Sequence, residues 1–132
     1  MSEEYSYKSN LIGLFGQPIW ENPTEHMMEA AFRYHNLRFR YISAEVSPEN
    51  LKDAFAGVKA MGYKGFNCTL PHKQAIIPLL DGLGESAQKM GAVNCVVERD
   101  GKYIGENTDG KGYVESLKEI TSISNKNIVL LG

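Results

Sequence analysis

Gly65-Phe66-Asn67-Cys68-Thr69-Leu70-Pro71-His72-Lys73 decides how this chain is read. It begins as a strand, with apolar side chains at alternate positions, and Pro71 turns it into a short helix from His72. In an extended Gly65–Leu70 segment, Phe66, Cys68 and Leu70 share one face and Asn67 and Thr69 the other. The apolar set belongs in a core. The polar set then faces water or a cleft near the strand's C-terminal end, where open α/β sheets hold their ligands.

The same alternation of strand and helix continues in both directions. Leu11–Gly16 reads as a first strand. Asn22-Pro23-Thr24-Glu25 opens a helix, with Asn22 as cap, Pro23 at the first helical position and Glu25 closing a capping box. Met27, Met28, Ala31 and Phe32 form its apolar face, and it ends near Asn36. Phe39–Val46 is a second strand. Leu51, Ala54, Phe55, Val58 and Met61 repeat at helical spacing and stop at Gly62.

On the other side, Asp81–Gly91 holds at most a brief helix. Ala92–Glu98 and the segment from Tyr103 form a hairpin around Asp100-Gly101. A last amphipathic helix, Gly110–Ile120, turns Tyr113, Val114, Leu117 and Ile120 inward. The expected fold class is α/β: a mostly parallel mixed sheet with helices on both faces and a hairpin edge strand. There is no internal repeat.

Bulk properties narrow the function. The 132 residues carry a net charge of −2, with 42% hydrophobic and 23% charged residues. That balance suits one globular domain and offers no basic field to nucleic acid or an anionic membrane. No apolar run reaches the ~20 residues of a membrane-spanning helix. The acidic, polar start Met1-Ser2-Glu3-Glu4 is not a secretory leader, so a cytoplasmic location is expected. Cys68 and Cys95 are the only cysteines and form no Cys-x-x-Cys pair. His26, His35 and His72 lack metal-ligand spacing, so no metal is expected.

Three segments concentrate chemistry: Asn67–Lys73, Gly91-Ala92-Val93-Asn94, and Asn107-Thr108-Asp109-Gly110. Taken singly, Lys73 is an ordinary surface lysine and Asp109 an ordinary helix cap. Three polar clusters at the ends of apolar runs in one small domain favour a site for a polyhydroxylated small molecule.

With Gly16-Gln17-Pro18-Ile19 added, these segments resemble the shikimate dehydrogenase family, in the same order from about Leu11 to Leu117. The resemblance implies reversible reduction of 3-dehydroshikimate to shikimate with NADPH, a step toward chorismate and the aromatic amino acids. Quinate with NAD is the alternative within the family, and a non-catalytic ring-acid-binding module the alternative outside it. The resemblance makes Lys73 and Asp109 the catalytic pair and gives Asn67, Thr69 and Asn94 the ring hydroxyls. Asn22 and Thr24 occupy the positions of two family serines that bind the substrate carboxylate. Glu21 stands where histidine is common, and Glu25 where proline is.

The resemblance also implies two domains with the active site between them. Residues 1–121 are then the substrate-binding catalytic domain. Residues 122–132 are a polar linker and the first strand, Asn127-Ile128-Val129-Leu130-Leu131-Gly132, of a missing Rossmann domain. No nicotinamide cofactor, NADP or NAD, is expected to bind without that domain. Apolar surface left uncovered would favour a homodimer.

Overall fold

Along the first strand, β1 (Asn10–Gly16), successive side chains serve two separate cores on two faces of one sheet. Leu11 and Phe15 pack into the larger cluster, and Ile12 and Leu14 into the smaller. The structure is a computed structural model that describes residues 7–129 and 131. After β1 come α1 (Thr24–Tyr34), β2 (Phe39–Glu45), α2 (Leu51–Met61), β3 (Gly65–Cys68) and α3 (His72–Ala75). Then follow β4 (Gly82–Leu83), α4 (Glu85–Met90), β5 (Cys95–Arg99), β6 (Lys102–Glu106) and α5 (Asp109–Ile120).

The six strands run in the order β2-β1-β3-β5-β6-β4. β1 pairs in parallel with β2 and β3, and β6 with β4. β5 is antiparallel to both β3 and β6. The mixed α/β class is therefore as expected. The hairpin lies inside the sheet, because Gly82–Leu83 adds a two-residue strand outside it. A strand that short carries no readable alternation, and the expectation for Asp81–Gly91 held only a helix.

The larger core draws Leu51, Phe55 and Val58 from α2 and Ala87 from α4, around Phe66 and Val96. Burying each large apolar side chain there contributes about 1.5–3 kcal/mol. On the opposite face, α1 contributes Phe32 and Met28 against Leu14 and Tyr41. Gly62 closes α2 in the left-handed conformation, φ 70°, and Asp100 and Gly101 make the hairpin turn at φ 52° and 78°.

Edge strand β2 is closed by α1. Glu29 Oε1 accepts the Tyr41 N–H at 2.7 Å, and Glu25 Oε2 accepts the Ser43 N–H at 2.9 Å. Ser43, through its side chain and its backbone N–H, holds the Glu25 carboxyl below the usual glutamate range. Glu25 therefore serves β2 and not a capping box at the start of α1. The N-cap position falls on Pro23 and not on Asn22 as expected; Asn22 stands one residue before it, its Oδ1 accepting the Thr24 N–H at 3.0 Å.

Several side chains expected inside lie outside. Leu70 is 70% exposed, because β3 ends at Cys68 and alternation no longer applies beyond it. Met27 is 63% exposed at the margin of α1. Tyr113, Val114 and Ile120 of α5 face solvent, and only Leu117 among its expected inward residues is half-buried. Helical periodicity identified an apolar stripe on α5, but the described residues supply no surface that buries it. Asn127–Val129 form no strand, and Leu130 and Gly132 of that expected strand lie outside the described residues.

Candidate active site

β1, β3 and β6 end, and β5 begins, at one rim of the sheet, and every polar segment singled out in the sequence emerges there. Gly16 and Thr69 approach so closely that a Cβ on Gly16 would run into Thr69 Cγ2, so glycine is required at that junction. Backbone bonds from Thr69 N to Phe15 O (2.9 Å) and from Gln17 N to Leu70 O (3.0 Å) tie the two strand ends together. The peptide bonds preceding Pro18 and Pro71 are both cis.

Lys73 lies in the first turn of α3. Its backbone oxygen accepts the Val93 N–H at 2.7 Å, which fixes it beside the Asn94 segment. Its Nζ donates to Asp109 Oδ2 at 2.6 Å. Both side chains remain partly open to solvent, 29% for Lys73 and 50% for Asp109. At such exposure the pair contributes at most about 1 kcal/mol to stability. Its importance is geometric: a cation and a carboxylate share one mouth of the sheet.

Asp109 is not itself the cap of α5. Buried Asn107 takes that task, its Oδ1 accepting the N–H groups of Asp109 (3.0 Å) and Gly110 (3.4 Å). Its Nδ2 donates to Ala92 O at 3.0 Å. The Asp109 carboxylate is thus released from capping and can face Lys73. Its other oxygen, Oδ1, accepts from Asn94 Nδ2 at 2.8 Å.

Asn94 also bonds Thr108 twice, from Nδ2 to Oγ1 (2.8 Å) and from Thr108 N to Oδ1 (2.9 Å). With both amide protons engaged, Asn94 offers a ligand only a remaining oxygen lone pair. Asn67 is similarly held. Its Nδ2 donates to Asn94 O at 3.1 Å, and its Oδ1 accepts from Tyr41 Oη at 2.7 Å. One amide proton and one lone pair stay free on Asn67. The Thr69 hydroxyl makes no bond among the described residues.

The structure brings Asn67, Lys73, Asn94 and Asp109 into one continuous hydrogen-bonded set. Thr69 stands beside it at the Gly16 junction. Asn22 meets Thr69 across a groove of about 290 Å³. Thr24 is half-buried at the start of α1, bonded to Asn22.

Three supporting residues were not assigned to the site from the sequence. Tyr41 is 3% exposed, and burial pushes its phenol well above the usual tyrosine range, so it stays a neutral donor to Asn67. The signal was a lone hydroxyl on an otherwise core-facing strand position. Asn107 was read only as part of a motif. His72 is wholly buried and donates from Nε2 to Val46 O at 2.7 Å, locking α3 to the segment after β2.

Other chemistries fit poorly. Burial pushes the Cys68 thiol up to about 12 and also raises Cys95, so neither is a ready nucleophile. No cluster of three His, Cys, Asp or Glu side chains is placed to hold a metal among the described residues. No helix among them is long and apolar enough to cross a membrane.

Known proteins share both sequence and shape with this chain. The family described as shikimate dehydrogenase substrate binding domain matches residues 14–96. A shikimate dehydrogenase (NADP(+)) from a Geobacillus species is 46% identical over 92% of this chain and 45% of its own length. The chain thus spans less than half the length of that curated relative. Among solved structures, a 5-ketofructose reductase of a Gluconobacter species aligns with a TM-score of 0.84 at 50% identity, over 89% of this chain and 42% of that one. A shikimate 5-dehydrogenase from Listeria monocytogenes, in complex with shikimate and NAD, aligns at 0.83 and 38% identity, over 91% and 42%.

Proposed function

The chain belongs to the shikimate dehydrogenase substrate-binding domain family, and from that premise we propose that it forms the substrate-holding half of an NADP-dependent dehydrogenase interconverting shikimate and 3-dehydroshikimate. The single observation that carries the reading is the 2.6 Å contact between Lys73 and Asp109 beside two held asparagines. Residues 1–121 constitute the substrate-binding domain, and 122–132 lead toward a cofactor-binding domain. NADP, when bound by that other domain, supplies or accepts the hydride.

This chain's own residues handle the proton and the geometry. Lys73 takes the proton from the substrate hydroxyl as hydride leaves, and returns it in the reduction direction. Asp109 orients the amine and stabilises the ammonium that forms. Asn67 and Thr69 keep bonding capacity for ring hydroxyls, which turns the reacting carbon toward the hydride carrier. Tyr41 and Asn107 act one step back, by fixing Asn67 and Asp109.

The test is NADPH formation from shikimate by the protein at the length of its relatives. Lys73→Ala should lower kcat by about a thousandfold, the middle of the range for a positioned proton-transfer group, with little change in the thermal midpoint. A loss under tenfold would refute the catalytic role.

A second reading is favoured by one observation: the Gluconobacter neighbour at 50% identity is a 5-ketofructose reductase. Asn22 and Thr24, standing where the resemblance implies two carboxylate-binding serines, agree with it. On this reading the same Lys73–Asp109 pair serves the ketone of a polyhydroxylated sugar derivative.

A further inference from the structure

We propose that Ser86, aimed by the Glu106 carboxylate, is a positioning residue for the reaction: it fixes the backbone of Asn107 and, through Asn107, the Asp109 carboxylate that orients Lys73. The inference rests on the dehydrogenase reading above and deepens it by naming residues outside the reacting set that keep the pair in place.

Asp109 owes its place to Asn107, whose Oδ1 takes the Asp109 N–H at 3.0 Å. Asn107 is 4% exposed, and a buried backbone amide needs an acceptor. β6 ends at Glu106, so the sheet ladder offers none to the Asn107 N–H. Ser86 Oγ accepts it at 2.9 Å from the first turn of α4. A serine hydroxyl carries one proton and can turn it in several directions. Here the direction is set, because Ser86 Oγ donates to Glu106 Oε2 at 2.6 Å and keeps its lone pairs for Asn107.

Glu106 is held in turn. Its Oε1 lies 3.9 Å from Arg99 Nη2. A Cβ on Gly84 would collide with its carboxylate, so glycine at that position makes room for the Glu106 side chain. Its backbone oxygen accepts the Asn94 N–H at 3.1 Å. Glu106 and Ser86 together therefore secure both residues that grip Asp109: Asn94, which bonds Oδ1, and Asn107, which bonds the backbone. Among the described residues neither of them bonds Lys73 or Asp109 directly, so their part is geometric. Without the Ser86 hydroxyl the Asn107 amide has no partner, and a shift of Asn107 to find one carries the first turn of α5 with it.

The test is NADPH formation from shikimate by the protein at the length of its relatives. Ser86→Ala should lower kcat by about tenfold and leave KM within about twofold, the mark of a reacting group displaced by a fraction of an ångström. Ser86→Thr keeps the hydroxyl and should stay within about twofold of wild type. The decisive measurement is a double-mutant cycle. Beside Asp109→Asn, Ser86→Ala should cost less than about twofold more, because its effect passes through the carboxylate already removed. If Ser86→Ala does not fold, Glu106→Gln keeps the shape and runs the same cycle, with a loss of about threefold alone and none beside Asp109→Asn. An unchanged kcat in the first variant of the cycle, an equal loss in Ser86→Thr, or losses that multiply in the double variant overturn the inference and leave the dehydrogenase reading standing. No turnover by the wild type, or wild-type turnover by Asp109→Asn, removes that reading and the inference with it.

Discussion

Helices α2 and α5 are nearly equal in length, and both carry apolar residues at helical spacing, yet they live in different surroundings. α2 buries Leu51, Phe55 and Val58 in the larger core, where Phe55 lies 5.7 Å from Phe66 and 5.5 Å from Tyr103, ring centre to ring centre. α5 buries no residue, and its Ile120 is 83% exposed. What holds α5 is its first turn, where Asn107 caps Asp109 and Asn94 grips the carboxylate. One helix is fixed along its side by packing and the other at its end by polar bonds. A periodic stripe tells which face of a helix is apolar, but not whether the partner for that face lies in the same stretch of chain.

The contrast can be broken by substitution. The largest effect belongs to Phe55→Ala, which should cost about 3–5 kcal/mol in denaturant unfolding, the range for an aromatic lost from a packed core. A cost under 1 kcal/mol would show that α2 is no better anchored than α5. Asn107→Ala comes next, at about 1–3 kcal/mol, because it leaves the Ala92 carbonyl and two α5 amides without their partner. Hydrogen exchange should quicken in the first turn of α5 while α2 stays protected. Uniform quickening would mean that Asn107 supports the whole fold and not the end of one helix. The smallest effect is that of Tyr113→Ala in residues 1–132, within about 0.5 kcal/mol of no change. The same substitution in the protein at the length of its relatives sharpens the comparison, since a larger cost there would reveal a cover for α5.

The sequence was most legible where local signals and burial agreed. The β3–Pro71–α3 segment, the α2 stripe with its Gly62 stop and the Asp100-Gly101 turn each have one dominant cause. The candidate site was legible in residue type, since Lys73, Asp109, Asn67 and Asn94 do converge. Their division of labour was not. Asp109 looked like a cap, and only the position of Asn107 shows why it is free. Tyr41 sits two strands away from Asn67 in the sheet order, and a hydroxyl reaching across a strand leaves no trace in spacing. β4 was missed because two residues give no period. α5 was read as packed because periodicity carries no information about distance.

One consequence follows from the carboxylates of Glu25 and Glu29. They sit on the outward amides of β2, the very groups a second sheet would use to extend this one. Two copies meeting along that flank would have to expel both side chains before forming a first rung. Self-association by strand addition at β2 is therefore disfavoured, and the bare flank of α5 is the more accessible ground for company of any kind.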